Sequence, residues 1–332
     1  MTMKRLGNSD LRISPIGLGT WAIGGDVHFG WGPQDDADSI AAIQRAVERG
    51  INWVDTAPVY GLGHAERVVG RALKKLGGAR RPYVFTKCGL VWNERGNVGH
   101  TLRRAAVRRD VEASLERLQV EVLDLCQIHW PSPPPGGGPD PEVEEGWSAL
   151  DKLNSEGKIR HIGVSNFNVA QLKRAQAIAP VTSLQPPYSL LMRQVEDEVL
   201  PYCGEQNIGV IGYSPLQNGL LSGRWTRERI AGLPESDWRK SFNPAFKEPH
   251  LTPILKFVDR LREMAERLGR SPAEVAIAWT LRHPAVTGTI VGARNPAQVD
   301  GFIDAIDYRL SAADIDAIAR ALPPSVTLLD RS

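Results

Sequence analysis

The sequence predicts an α/β chain folded as a single (β/α)8 TIM barrel over residues 1–332, with an N-terminal hairpin and long loops at the C-terminal face. Three observations carry that expectation. Eight short apolar or β-branched runs alternate with helical spacing, the glycine signature of an open nucleotide-binding sheet is broken, and strand after strand ends in a polar or titratable residue.

The strands are expected around Ile16 to Leu18, Trp53 to Asp55, Val84 to Lys87, Val122 to His129, Ile159 to Ser165, Val181 to Gln185, Ile208 to Tyr213 and Val286 to Val291. Between them, Ile40, Ile43 and Val47 share a helical face, as do Val111, Leu115 and Leu118. Ser271-Pro272-Ala273-Glu274 reads as a capping box with proline at the first helical position, and Ser311 to Asp314 as a weaker one. Gly50 and Gly157 fall where helices should stop.

Alternating strands and helices fit either a closed barrel or an open doubly wound sheet. An open sheet should carry GxGxxG after its first strand, but Gly17-Leu18-Gly19-Thr20-Trp21-Ala22 fails at the last position and no P-loop occurs. The barrel is preferred. Ahead of the first strand, Leu6 to Leu11 reads as the turn of a hairpin able to plug the barrel bottom. Trp130 to Glu145, rich in proline (Pro131, Pro133 to Pro135) and glycine (Gly136 to Gly138), and Ser214 to Pro253 are too long for simple connections. Both leave the C-terminal face, where barrels of this type keep their active sites. No internal repeat or domain boundary divides the chain.

Composition narrows the class. Hydrophobic residues at 42% and charged residues at 23% are ordinary for a soluble globular protein and disfavour disorder, fibre and membrane classes. A formal charge of +2 is too balanced for dedicated binding of nucleic acid or an acidic membrane, and Arg103, Arg104, Arg108 and Arg109 read as a solvated helix face. The start, Met1 to Asn8, lacks the apolar stretch of a signal peptide, so a cytoplasmic location is expected. Cys88, Cys126 and Cys203 form no CxxC pair and are expected as buried hydrophobes.

Asp55, Lys87, His129, Ser165 with Asn166, Gln185 and Tyr213 stand at strand ends, which a barrel brings to one mouth. Tyr60 follows Asp55 in a Pro- and Gly-containing loop that can turn it back over that mouth. A phenol, with its ordinary pKa near 10, needs a neighbouring cation to exchange protons near neutrality; Lys87 can be that cation, and Asp55 can hold it in place. His129 could orient a substrate carbonyl toward Tyr60. No metal is expected. HxH and HExxH are absent, and the histidines at 28, 64, 100, 129, 161, 250 and 283 are dispersed, which disfavours a metal-dependent hydrolase.

At these residues the chain resembles the aldo-keto reductase family, in the bacterial branches with a Tyr-Ser-Pro-Leu loop. The resemblance runs in order from about Arg5 to Leu322 through Gly17-Leu18-Gly19-Thr20-Trp21, Asp55-Thr56-Ala57-x-x-Tyr60-Gly61, Thr86-Lys87, Asp124-Leu125-x-Gln127-x-His129-Trp130-Pro131 and Gly157 to Phe167. It continues through Gln185-x-x-Tyr188, Tyr213-Ser214-Pro215-Leu216-x-x-Gly219 and Val291-Gly292-Ala293-Arg294-x-x-x-Gln298.

The resemblance implies a metal-free, NADP(H)-dependent oxidoreductase that reduces an aldehyde or ketone, with Asp55, Tyr60, Lys87 and His129 as catalytic tetrad. It implies that Ser165, Asn166 and Gln185 hold the nicotinamide carboxamide and that Tyr213 stacks on the ring. Ser214, Leu216, Gln217 and Gly219 would follow the pyrophosphate. Arg294, at the start of the last helix, would meet the 2′-phosphate, with Thr20, Trp21, Gly292 and Gln298 completing the cofactor contacts. Where the family often continues with Glu-Asn, this chain has Gly301-Phe302. Trp21, Trp92 and Trp130 are expected at the substrate pocket beside Tyr60 and His129, with Trp225 and Trp238 reaching it from the long loop, and would suit bulky or cyclic carbonyls. Trp53 and Trp279 are expected in the core. The partner is a small carbonyl compound, the chain a monomer or weak homo-oligomer. The competing reading is a nucleotide-binding regulatory or sensor subunit of the same fold, against which the intact tetrad speaks.

Overall fold

A two-stranded antiparallel hairpin, β1 (Lys4–Arg5) and β2 (Arg12–Ile13), precedes the barrel in the computed structural model, which describes residues 2–26, 31–78, 81–136, 138–235 and 237–323. The barrel strands are β3 (Ile16–Gly19), β4 (Trp53–Asp55) and β5 (Tyr83–Cys88). An extra hairpin, β6 (Leu90–Trp92) with β7 (Val98–His100), follows β5. Then come β8 (Leu123–Ile128), β9 (Ile159–Ser165), β10 (Ser183–Gln185), β11 (Gly209–Gly212) and β12 (Val286–Gly292). The eight expected runs are the eight barrel strands, all paired in parallel, and β12 closes on β3 in the register Thr289↔Ile16 to Gly292↔Gly19.

The barrel is filled from below. Leu6, Leu11 and Ile13 of the hairpin are buried together with Trp53, Phe85, Leu125, Ile211 and Ile290 from the strands. Trp53 lies so close to β3 that a Cβ on Gly17 would fall 2.3 Å from its ring, and its indole N–H donates to Ser14 O at 2.9 Å. Gly7 turns the hairpin with φ +52°, and a Cβ there would sit 2.3 Å from Thr182 O and 2.5 Å from Gly209 N. The hairpin therefore backs onto the N-terminal ends of β10 and β11, and the polar chemistry is left to the opposite end.

Helices cover the outside: α1 (Asp36–Glu48), α2 (His64–Leu76), α3 (Arg104–Leu118), α4 (Val143–Ser155), α5 (Val169–Gln176) and α6 (Val199–Glu205). Ile40, Ile43, Val111 and Leu118 are buried as their spacing requires. The Arg103 to Arg109 run lies on the outer side of α3, where Arg108 pairs with Glu156 and Glu112. All three cysteines are buried, as are Trp53 and Trp279. Gly50 (φ +95°) and Gly157 (φ +78°) end helices in left-handed backbone.

The long connections are more ordered than their composition suggests. Within Ser214 to Pro253 lie α7 (Arg227–Ala231), α8 (Trp238–Ser241) and the start of α9 (Leu251–Arg267), with Leu220, Leu221, Trp225, Ile230 and Phe246 buried. Pro253 sits in the first turn of α9, where a missing N–H breaks no helical bond, so it does not end the loop. Likewise α4 begins at Val143, inside the expected Trp130 to Glu145 connection; Gly137 of that connection and His28 lie outside the described residues. The chain ends through α10 (Pro272–Thr280), α11 (Pro296–Asp300) and α12 (Ala312–Ala321). Both expected capping boxes are present: Ser271 Oγ accepts from Glu274 N and Glu274 returns the bond, and Ser311 and Asp314 do the same. No helix among the described residues is long and apolar enough to cross a membrane.

Candidate active site

Register places the acid and the lysine. Asp55 closes β4 and Lys87 lies near the end of β5, both pointing into the barrel at 2% and 1% exposure. Lys87 Nζ donates to Asp55 Oδ1 at 2.6 Å, to Thr56 O at 3.0 Å and to the Tyr60 hydroxyl at 3.3 Å, so each of its three protons has an acceptor. The other carboxylate oxygen of Asp55 accepts from Gln185 Nε2 at 2.8 Å. Tyr60 is carried over the mouth by the turn that Gly61 makes at φ +61°, where a Cβ would strike Gly24 O at 2.0 Å. Its ring meets the His129 ring edge-on at 5.9 Å. The four side chains thus form one cluster, in which Asp55 and Lys87 are sealed and Tyr60 and His129 keep access to the mouth.

Burial sets the protonation states. Loss of solvent pushes the Tyr60 phenol up, and Lys87 only partly opposes this, so the resting side chain is a neutral proton donor and not the phenolate that a nearby cation alone would favour. Burial would lower Lys87, but Asp55 and Tyr60 outweigh it and hold the ammonium above its usual range. Burial likewise raises Asp55, against the pull of Lys87. His129 is driven well below its usual value by burial, then by Lys87 and His100, so its imidazole is neutral near neutral pH.

The amide and hydroxyl groups expected beside the tetrad lie there. Ser165 Oγ donates to Gln185 O at 2.8 Å. Asn166, in left-handed backbone at φ +63°, donates from Nδ2 to His129 O at 2.9 Å and accepts the Tyr213 hydroxyl at 2.8 Å. The Tyr213 ring packs over the upper side of the hairpin-filled core. Ser214, Gln217, Asn218 and Gly219 all have positive φ, and within this tight loop the N–H groups of Gln217 and Gly219 donate to Ser214 O and Leu216 O, each at 3.0 Å. The side chains of Thr20 and Gln217, also named for cofactor contact, are likewise engaged by the protein: Thr20 Oγ1 donates to Asp55 O at 3.0 Å, and Gln217 Nε2 is buried against Ser189 Oγ at 2.8 Å.

Leu216 packs against the main core, and Gly292 is the exposed last residue of β12. Arg294 does not open the last helix. It precedes the single turn of α11, and its N–H donates to Gln298 Oε1 at 2.9 Å. Its guanidinium reaches back to the segment before α1, donating to Gln34 Oε1 at 2.5 Å, to Trp31 O at 3.3 Å and to Pro33 O. Phe302 turns into the core.

Trp21 stacks on Tyr60 at 6.5 Å and meets Trp238 edge-on at 5.5 Å, so the long loop does bring an indole to the mouth. Trp130 packs with Tyr60 against Ala57, Val59 and Leu90. The Trp92 ring lies 5.8 Å from the Arg117 guanidinium, and Trp225 is buried against Phe246. Trp31, which the sequence did not single out, contacts Trp21 at 5.7 Å and carries a buried indole N–H without a partner. Only its place in a Gly- and Pro-containing segment before a helix cap could have drawn notice.

The side-chain amides of Asn166 and Gln185, the Tyr213 ring and the Arg294 guanidinium are chemically of the kind that a nicotinamide dinucleotide takes. Sequence and structure comparisons identify relatives of the chain. The sequence model of the Aldo/keto reductase family matches residues 15–323. The chain is 36% identical to Aldo-keto reductase YhdN of Bacillus subtilis (strain 168), over 95% of this chain and 91% of that one. It is 34% identical to an NADH-specific methylglyoxal reductase of Escherichia coli (strain K12), over 93% and 94%. The solved structure of the glycerol dehydrogenase AKR11B4 from Gluconobacter oxydans superposes with a TM-score of 0.85 at 37% identity, covering 100% of this chain and 98% of that one.

Proposed function

Because the chain belongs to the aldo/keto reductase family, we propose that it is an NADP(H)-dependent oxidoreductase that reduces an aldehyde or ketone to an alcohol, with Tyr60 as proton donor. The observation that carries this reading is the Lys87 ammonium, whose three protons are fixed on Asp55, Thr56 and Tyr60. A lysine so held turns one of its protons to the Tyr60 hydroxyl at the mouth.

A bound nicotinamide would supply the hydride, held by Ser165, Asn166 and Gln185 with Tyr213 against its ring. His129, neutral at working pH, orients the carbonyl oxygen by a hydrogen bond without a charge that would compete with Lys87 for the phenol. Tyr60 releases its proton to the developing alkoxide, and the nearby ammonium stabilises the phenolate left behind. Asp55 keeps Lys87 charged throughout. In the reverse direction the same phenolate would accept the proton of the alcohol.

For substrate, methylglyoxal and glycerol in the names of two relatives are small oxygenated compounds. The indoles of Trp21, Trp130 and Trp238 favour a carbonyl bearing an apolar or ring substituent here. Relatives differ in cofactor, one being NADH-specific by name; the preference for NADPH rests on Arg294, whose fork matches phosphate oxygens.

The test is NADPH binding followed by tryptophan fluorescence, together with multiple-turnover NADPH oxidation against a panel running from methylglyoxal to aromatic aldehydes and cyclic ketones. Turnover supports the enzyme. Tight binding without turnover on any carbonyl would instead favour the sensor reading.

A further inference from the structure

We propose that Gln34 tunes the cofactor preference of this chain by occupying the Arg294 guanidinium in competition with the 2′-phosphate of NADP(H). The inference rests on the reading that Arg294 meets that phosphate and adds a residue that opposes it.

Each guanidinium nitrogen of Arg294 gives a hydrogen bond to the segment Trp31–Gln34: Nε to Gln34 Oε1 at 2.5 Å, one terminal nitrogen to Trp31 O at 3.3 Å and the other to Pro33 O. Gln34 closes the arrangement, because its Nε2 returns a bond to Arg294 O at 2.9 Å and another to Ser39 Oγ at 2.9 Å. Ser39 is itself buried and donates to Asp35 O at 2.8 Å, while the Asp35 side chain caps α1 on the N–H groups of Ala37 and Asp38. The Gln34 amide is therefore anchored on a helix start and is not a floppy surface group. The far end of the segment is held too, with the Arg239 guanidinium 4.8 Å from the centroid of the Trp31 ring. Arg239 cannot replace Arg294 toward a phosphate, since its own fork is taken by Asp237 at 2.9 and 2.5 Å.

All the acceptors on Arg294 are neutral oxygens. A phosphate takes a guanidinium best through two parallel N–H bonds, so it must displace at least one of them. An unphosphorylated cofactor presents a hydroxyl at that position and gains little from the exchange. Gln34 should thus weaken NADPH and leave NADH nearly untouched, narrowing a discrimination that Arg294 alone would make wide.

The experiment is a double-mutant cycle in which NADPH and NADH dissociation constants are read by fluorescence titration for the wild type, Gln34→Ala, Arg294→Ala and the double variant, with melting temperatures as the fold control. The expected result is that Gln34→Ala tightens NADPH by roughly three- to tenfold, the scale of the net contribution of one ordinary hydrogen bond, leaves NADH within about twofold, and has no effect once Arg294 is alanine. Weaker NADPH in Gln34→Ala would mean that the amide presents Arg294 to the phosphate and would overturn the proposal. So would an equal change for both cofactors, a gain that persists without Arg294, or no change. If Arg294→Ala by itself weakens the two cofactors equally, the underlying assignment of Arg294 fails, and that single variant identifies the failure.

Discussion

The Lys87 ammonium reaches the Tyr60 hydroxyl at 3.3 Å while standing 5.1 Å from the centroid of the same ring, so the cation lies closer to the oxygen than to the ring centre. Tyr60→Phe keeps the ring, its stacking on Trp21 and its edge contact with His129, and deletes the hydroxyl, which carries the transferable proton and accepts from Lys87. NADPH affinity should stay within about twofold while kcat falls on the order of 100-fold or more, the scale of general acid catalysis. Retained turnover would take Tyr60 out of the mechanism.

Lys87→Met removes both the charge and the hydrogen bond by which the lysine pulls the phenol down, leaving burial and Asp55 to push it higher. Alcohol oxidation needs the phenolate and reduction needs the phenol, so the two directions should respond differently. Oxidation should be lost more severely, and any residual oxidation should rise at higher pH than in the wild type. The kcat/KM profile against pH in both directions checks this; a wild-type profile in the variant would detach Lys87 from the proton step.

His129 and Asp110 separate activity from stability on the pH axis. Because His129 lies well below its ordinary value, kcat/KM for reduction should show no inflection near pH 6.5. Asp110 on α3 is pushed up to about 6 by burial, although it accepts the Gly89 N–H at 2.9 Å, two residues past Lys87. A carboxyl whose folded pKa is raised lends stability that is complete below its unfolded value and lost as pH rises through the folded one. The folded chain at pH 7 therefore carries a penalty of up to about 3 kcal/mol at this site. Asp110→Asn keeps an acceptor for Gly89 and removes the charge. It should raise the melting temperature at about pH 7 and make little difference near pH 4. Destabilisation at both pH values would show that the charge itself holds the Gly89 turn.

The hairpin should matter for folding more than its four paired residues suggest. Leu11 is fully buried among Trp53, Phe85 and Ile211, so Leu11→Ala opens a cavity at the barrel floor. A loss of about 2–5 kcal/mol in denaturant unfolding is expected, with KM for the cofactor unchanged because the site is at the other end. A loss below about 0.5 kcal/mol would mean that the plug can collapse around the gap.

Barrel and tetrad were legible in the sequence for one reason: each barrel strand is a short apolar run between helical patterns, and parallel register carries the residue at its end to the common mouth. Asp55, Lys87, His129 and Gln185 follow from that rule alone. Tyr60 needed the turn at Gly61. What stayed hidden depends on contacts between distant segments or on side-chain direction. Gln34 and Arg294 are 260 residues apart and belong to no shared pattern. The contact of Trp92 on β6 with Arg117 joins two such segments, and Val98-Gly99-His100 looks like loop because its glycine masks the alternation. Gln217 stands in the loop expected along the pyrophosphate, yet its amide turns down to Ser189. The short helices α7 and α8 are held by burial of Trp225, Ile230 and Phe246 on the body of the protein, which no local propensity announces.

Pro133 to Gly138 should govern substrate choice and hardly touch stability. Pro133, Pro134, Pro135 and Gly138 are exposed, and what surrounds them is fixed independently. On one side Ser132 is buried and Trp130 receives the His100 imidazole on its carbonyl at 2.9 Å. On the other, Asp140 pairs with Arg174 at 2.8 Å and Glu142 accepts from Leu102 N at 2.7 Å. A short linker in place of Pro133 to Gly138 leaves these anchors standing. It does remove the one described contact that the segment makes at the mouth, since Gly136 approaches the six-membered ring of Trp130 closely enough that a Cβ would lie 3.3 Å from it. Freed on that side, Trp130 can swing away from Tyr60 and widen the pocket. Relative kcat/KM should therefore shift toward bulkier carbonyls while the melting temperature moves by no more than a few degrees, as expected for a substitution outside the core. A large drop in melting temperature with an unchanged substrate profile would show that the segment braces the barrel and has no part in selecting what enters it.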